Sequence, residues 1–440
     1  MTEPGSTSID LYSILGVERS APSGAIHQAF IERLPRHRPD KDPEGFRAIR
    51  MAYHTLMDPR AREEYDNLMA CGSEIAELMN GAFGAMIQGR LRLAEQLVTR
   101  IVDETGGASE AMMLLGMVQF EQEHFHDAIG TLGELVDRFP RVALYRVNLG
   151  NMLMNRYTTI EDVEAKAHVL RRAREQYERA IEIDPQSPFP YIEMAKTFHT
   201  EGDDETAWQW TDKAVWANGR EDFEDFDALL YGGMALANAA QIDRLREQIL
   251  RLERVVPDVD DARQFAVSAL VSRTIPLVQD RRLAAARELV LAAIRLSPDS
   301  KELSEMLRDT DLALEADLSW GEFSRDPAII PPLKEMADHL FRHFLLRSSE
   351  DRLEEAIGGF FDKLDGRTFP EVRRSLARMK RQYPSIWKLS EEFWENVRGL
   401  VGGRMRIRDL LMFFGLIVAV LVVLILLGTF IPQLIVYLTH

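Results

Sequence analysis

The residues able to do chemistry in this 440-residue chain are few and scattered. A single cysteine, Cys71, excludes an internal disulfide and any cysteine-built zinc site. His339 and His343 stand four apart but lack the intervening glutamate of a zinc protease. His124 and His126 flank Phe125 at an expected inter-helix turn and read as solvated surface. Acidic runs at 201–205 and 221–227 lack calcium-loop spacing and read as solvated turns. There is no Gly-x4-Gly-Lys-Ser/Thr loop and no strand-borne Gly-x-Gly-x-x-Gly. No residue set therefore points to an enzyme, a cofactor or a metal. What stands out is a short group of opposite charges: Arg33, Arg36, His37, Arg38, Pro39, Asp40 and Lys41. Proline stiffens such a turn, the aspartate accepts hydrogen bonds, and the cations form either a patch for an acidic protein face or an ordinary solvated helix face.

The elements that must carry this group are helical. Residues 9–17 read as a short helix ended by Gly16. Pro22 opens a second helix with Ile26, Phe30 and Leu34 at helical spacing, and Pro35 and Pro39 stop it. A third helix follows Pro43, with Phe46, Ile49, Tyr53 and Leu56 on one face. Asp58-Pro59 breaks it and starts a fourth, ending in Tyr65-Asp66. This pattern resembles the J-domain family. The matching residues are LYSILGV at 11–17, AF at 29–30, PDKDP at 39–43, F-x-x-I-x-x-AY at 46–53 and L-x-DP-x-x-R-x-x-YD at 56–66. The resemblance implies a helical hairpin, helices II and III, with a His-Pro-Asp loop at its tip. It also implies docking of that tip and of the basic face of helix II on a DnaK-type chaperone, whose ATPase the family stimulates. This chain departs from the tripeptide: it reads His37-Arg38-Pro39-Asp40, so Arg38 takes the position of the family's histidine. The resemblance names Arg33, Arg36, His37, Arg38, Pro39, Asp40 and Lys41 as the docking set, with weakened or partner-specific stimulation.

A 34-residue period follows. Gly116, Ala128, Leu132 and Pro140 fall at positions 8, 20, 24 and 32 of a unit starting at Ser109. These are signature positions of the tetratricopeptide repeat, a helix–turn–helix unit whose small residues let its two helices approach. Further units begin at 75, 143, 188, 226 and 267; the one at 143 carries about eleven extra residues around 155–166. The run resembles about six such repeats over 75–315. One repeat cannot bury its own apolar face, so the units stack into an α-solenoid whose A helices commonly line the ligand surface. Met113, Met117, Asn148, Asn151 and Phe189 are the candidate groove residues. Some tetratricopeptide domains clamp a chaperone's C-terminal carboxylate, but among the equivalent positions here only Asn148 has a suitable side chain. The apolar members fit an apolar or mixed client segment, and fit equally a core between repeats.

Residues 316–408 are helical and match no recognised family. Leu410 to Ile431 is 22 residues without a charge. At ~1.5 Å per residue it spans about 33 Å, against a hydrocarbon layer of ~30 Å. Arg398, Arg404, Arg406 and Arg408 precede it, and no Lys or Arg follows in the tail 432–440. The positive-inside rule then keeps the N-terminal bulk cytoplasmic, most simply at a bacterial inner membrane. The N-terminal MTEPGSTSID has no apolar core, so no secretory signal is expected. The net charge of −17 argues against a nucleic-acid-coating protein. It is unevenly spread: residues 1–70 carry 9 basic and 11 acidic side chains, residues 71–315 carry 27 and 43, and residues 316–440 carry 17 and 16. The expectation is an all-α protein: a J-like domain at 1–70, a solenoid at 75–315, a membrane-proximal region at 316–408 and a single transmembrane helix at 410–431. Its expected partners are a DnaK-type chaperone, a protein client and a lipid bilayer. The rival expectation is a membrane-tethered scaffold whose J-like domain has lost its stimulating activity.

Overall fold

The computed structural model describes residues 10–34, 36–37, 42–346, 350–364 and 367–402. The chain divides into two compact units. The first runs to Arg273 and includes Ala292–Asp299; the second holds Thr274–Leu291 and the chain from Ser300. Every regular element among the described residues is a helix. The segment 410–431 and the tail lie outside the described residues. Among those described, no helix is long and apolar enough to cross a membrane.

The first unit opens with four helices: α1 (Leu11–Leu15), α2 (Ser23–Arg33), α3 (Pro43–Met57) and α4 (Pro59–Ala70). Each boundary has a local cause. Asp10 and Ser13 form a reciprocal capping box at the start of α1, and Gly16 ends it at φ 63°. Asp42 and Asp58 cap α3 and α4, each followed by a proline whose missing N–H costs nothing at a first helical turn. Leu11, Leu15, Ile26, Phe30, Ile49, Tyr53, Leu56 and Tyr65 form the buried core. Phe30 stacks on Tyr53 with ring centroids 4.0 Å apart. At the far end the Tyr12 hydroxyl donates to Asp66 at 2.9 Å and accepts from the Arg62 Nε at 3.0 Å. The Tyr65-Asp66 pair thus ties the end of α4 back to α1.

Five helix pairs follow: α5 (Ser73–Ile87) with α6 (Leu91–Thr105), α7 (Ser109–Glu121) with α8 (Phe125–Arg138), α9 (Ala143–Thr159) with α10 (Val163–Ile183), α11 (Phe189–Thr200) with α12 (Asp204–Trp216), and α13 (Phe226–Asn238) with α14 (Ile242–Val255); α15 (Asp260–Gln279) and α16 (Leu283–Leu296) come next, each holding residues of both units. A 3-10 turn, Phe223–Asp225, precedes α13. The small residues of the repeat sit where helices cross: Ala94, Ala128, Ala180 and Ala207 are fully buried. A Cβ on Gly116 would lie 2.9 Å from Leu132, and one on Gly150 would lie 2.4 Å from the Tyr177 ring. The extra residues of the third unit form no loop. They lengthen α9 to 17 residues and α10 to 21, because no glycine or proline stands between Gly150 and Pro185 to stop either helix.

The second unit gathers α17 (Lys301–Arg325), α18 (Pro331–Leu346), α19 (Glu350–Asp362), α20 (Phe369–Gln382), α21 (Pro384–Lys388) and α22 (Glu391–Val401). Residue 315, where the sequence suggests a boundary, lies inside α17, which has no proline between Pro298 and Pro327 to end it. One apolar core joins Ala313, Phe323, Leu333, Phe341, Trp387 and Trp394. Asp326, at the end of α17, accepts from the Arg378 Nε at 2.6 Å and from the Tyr383 hydroxyl at 3.0 Å.

Two glycine variants separate close approach from helix propensity. Gly130, on α8, has open space where a Cβ would go. Gly130→Ala is therefore expected to gain up to ~1 kcal/mol in urea unfolding, the ordinary helix preference. Gly150→Ala is expected to lose about 1–3 kcal/mol, because a rigid buried ring blocks the new methyl. Equal effects of the two would refute close packing at Gly150.

Candidate functional site

The J-like domain does not hang free of the helix pairs in the first unit. It lies along a row of helix starts, touching five successive first helices within a few residues of where each begins. At α7, the Ser109 hydroxyl donates to Glu64 at 3.3 Å. At α9, the Leu144 backbone N–H donates to Asp58 at 3.4 Å, while the other oxygen of Asp58 caps α4. At α11, Phe189 sets its ring edge-on to His54, with centroids 3.8 Å apart, and approaches Tyr53 at 6.2 Å. At the entrance to α13, the Tyr53 hydroxyl donates to Glu224. His27 brings Nδ1 within 3.3 Å of Glu224 and Nε2 within 3.8 Å of Asp222. At α15, Arg36 pairs with Asp261 at 3.3 Å.

Apolar packing underlies these polar contacts. Ala61 of α4 belongs to the same buried cluster as Met112, Met113, Leu132, Tyr145 and Leu149. A helix N-terminus carries unpaired N–H groups and a partial positive charge, so carboxylates of α4 meeting α7 and α9 are favourably placed. The polarity then reverses along the row, where His27 and Arg36 of the J-like domain meet carboxylates of the solenoid.

Burial shapes the protonation of this seam. Burial pushes the Glu110 carboxyl up to about 8, and the neighbouring Asp58 and Glu64 carboxylates push it the same way. Glu110 accepts a hydrogen bond from the Tyr145 hydroxyl at 2.7 Å. Burial likewise raises Asp225 to about 7. Burial, with Arg50 and Lys196 nearby, holds the His54 imidazole well below its ordinary range, so it meets Phe189 as a neutral ring. Among the described residues, His27, Asp222 and Glu224 are the group whose donor atoms could converge on a cation. Arg220 lies 3.1 Å from Asp222, and Tyr53 occupies one oxygen of Glu224. These partners already supply the countercharge and hydrogen bonds that a metal ion would replace.

The residues expected to dock a chaperone have been put to other uses where they are described. The Arg33 Nε donates to the Leu15 carbonyl at 2.6 Å, so this side chain closes the end of α1. The His37 Nδ1 lies 2.7 Å from Asp42, whose carboxyl it holds below the usual range. Arg36 is on Asp261. Arg38, Pro39, Asp40 and Lys41 lie outside the described residues.

The five expected groove residues do not line one open groove. Met113 is core, and the Asn148 amide points to its sulfur at 3.5 Å. Asn151 accepts from the Tyr177 hydroxyl at 2.8 Å. Met117 packs against the same core, and Phe189 lies under the J-like domain. Stacking of neighbouring pairs and the seated domain consume the side chains that spacing alone assigned to a ligand. Conversely, the acidic run 221–227 is more than a solvated turn, since the Glu224 side chain is 7% exposed. The available signal was Phe223 and Phe226 inside that run, because two aromatic side chains require a buried surface.

Residues 10–66 match the family profile described as the DnaJ domain. The chain carries a DnaJ domain. The chaperone protein DnaJ of Porphyromonas gingivalis is 30% identical over 104 residues, which cover 22% of this chain and 26% of that protein. A DnaJ homolog, subfamily B member 3, of Mus musculus is 38% identical over 80 residues, covering 17% and 31%. The chain thus spans under a third of the length of either relative. A thermophilic TPR protein from Thermus thermophilus is similar over 44% of this chain and 97% of its own, at 19% identity and a TM-score of 0.36.

Glu110 gives the seam a measurable pH signature. In the unfolded chain its carboxyl ionises near ~4.3, whereas the folded protein keeps the proton to about 8. Its contribution is therefore fully present below the unfolded value and is lost as pH rises through this window. Glu110→Gln is expected to match the parent in thermal stability at pH 5. At pH 8 it is expected to exceed the parent by on the order of 3 kcal/mol. A stability difference independent of pH would refute a buried neutral carboxyl.

Proposed function

We propose that this chain is a membrane-anchored cochaperone whose DnaJ domain recruits a DnaK-type ATPase to a client or complex held by the helical-repeat solenoid. The match at residues 10–66, on a four-helix domain with the expected core, carries this reading. On it the chain performs no bond chemistry of its own. Helical-repeat architecture supplies extended surface suited to a protein partner. The anchor would be the uncharged stretch 410–431, preceded by arginines and followed by a tail without Lys or Arg. That arrangement keeps the DnaJ domain in the cytoplasm, at a bacterial inner membrane on the simplest reading. The basic stretch 366–408, with eleven basic and four acidic residues, sets this topology.

One specific observation favours the scaffold reading as a second choice. Arg38 stands where the family has histidine, and Arg33 and Arg36 are both engaged within the chain. A domain so altered could add a surface without stimulating hydrolysis.

Single-turnover ATP hydrolysis by the cognate DnaK-type chaperone, with the full-length chain in detergent micelles, separates the two. The expected result is acceleration that Asp40→Asn abolishes. No acceleration across a wide concentration range would remove the cochaperone reading and leave the scaffold. Placement is tested independently by alkaline carbonate extraction of membranes. The full chain is expected in the pellet and a chain ending at residue 405 in the supernatant, whereas equal release of both would refute the anchor.

A further inference from the structure

We propose that the row of helix starts at α11, α13 and α15 is the docking surface for the chain's own DnaJ domain, and that a DnaK-type chaperone competes with it for the α2 side. This rests on the cochaperone reading and names its regulation.

The argument is an inventory of cations. Among the described residues of α2 and the turn after it, the side chains able to carry positive charge are His27, Arg33, Arg36 and His37. Arg33 is committed to the Leu15 carbonyl and His37 to Asp42, both within the domain. His27 and Arg36 are committed to the solenoid, on Glu224, Asp222 and Asp261. Each of the four already has an acceptor within the chain, and an outside protein that pairs with His27 or Arg36 competes with the solenoid's carboxylates for them.

The solenoid side is a built receptor. Three acidic side chains, two from the segment before α13 and one from the first turn of α15, meet the domain, and Phe189 supplies an aromatic contact. Tyr53, which is fully buried, points its hydroxyl at the same Glu224 that His27 approaches. These contacts bridge 171 residues for Tyr53 and 225 for Arg36. Only Cys71 and Gly72 separate α4 from α5, so the domain is tethered at high effective concentration beside its receptor. The grip is graded. The Arg36–Asp261 pair is exposed on both sides and is weak in water. The Tyr53–Glu224–His27 group is enclosed and carries more. Contacts of this strength suit competition, because they hold the domain in the free chain yet yield to a larger interface. Coupling of this kind is reciprocal: whatever weakens the internal docking tightens the external one by the same factor.

The test uses the full-length chain and a variant combining Asp222→Asn, Glu224→Gln and Asp261→Asn. Two measurements are made on each: hydrogen–deuterium exchange of residues 23–37 without chaperone, and the concentration of chain giving half-maximal stimulation of single-turnover ATP hydrolysis. The expected result is faster exchange in the variant and a half-saturation concentration lower by about fivefold or more. Asp261→Asn alone, at an exposed pair, is expected to move both readings slightly in the same direction while leaving the fold intact. Unchanged exchange in the triple variant would overturn the docking. Faster exchange with unchanged half-saturation would overturn the competition and leave the cochaperone reading standing. Failure of both chains to stimulate would end the cochaperone reading and the competition with it, while exchange would still decide the internal docking.

Discussion

Stacking puts the same end of each first helix on one edge, and the rest of the first unit depends on that. A helix pair cannot bury its apolar face alone, so each must lie against the next. Once Gly116, Gly150 and the buried alanines set the spacing, the starts of α7, α9, α11, α13 and α15 fall in register with the DnaJ domain. Helix starts are chemically distinctive, with unpaired donors at the backbone and short polar or acidic residues just ahead. The domain uses both properties, giving carboxylates to the Ser109 hydroxyl of α7 and the Leu144 N–H of α9 and taking carboxylates from the segment before α13 and from α15.

This pairing gives the chain's acidity a purpose beyond solubility. The region 71–315 holds most of the excess acid, with 43 acidic against 27 basic side chains. Some of these charges pair within the solenoid, as Arg251 does with Asp212 and Glu221. Asp222, Glu224 and Asp261 act across the seam instead. Glu224 is the most enclosed of the three and works through two neutral-capable partners, a tyrosine hydroxyl and an imidazole. A buried carboxylate satisfied by hydrogen bonds costs less than one paired only by a distant charge.

Local features were legible in the sequence because their causes are local. The Asp10–Ser13 box, the Asp-Pro starts of α3 and α4, and the buried run through Phe30, Ile49 and Tyr53 follow from caps and helical spacing. The repeat was legible because close approach at Gly116 and Gly150 recurs at a fixed period. The seam was not, since Tyr53 with Glu224 and Arg36 with Asp261 join residues that no periodicity relates. The internal contact of Arg33 was hidden for a similar reason. Spacing places it near the basic tip, but the free carbonyls at the end of α1 need a donor, and its long side chain reaches Leu15. The partners of Asn148, Asn151 and Phe189 lie on other helices, so the spacing of one repeat does not show them.

The same constraint bears on how a recruited chaperone would work. A DnaJ domain on a long flexible linker samples many positions, and a partner bound to it gains little orientation from the rest of the chain. Here α4 leads into α5 through two residues, and Gly72 takes a φ of 143° that other residues avoid, which makes the link a defined bend. Ala61 locks α4 into the core of the first helix pairs. His37 lies on one oxygen of Asp42 while the other oxygen caps α3. A partner that competes for α2 must then loosen this seam, and the two-residue link keeps the released domain close to it.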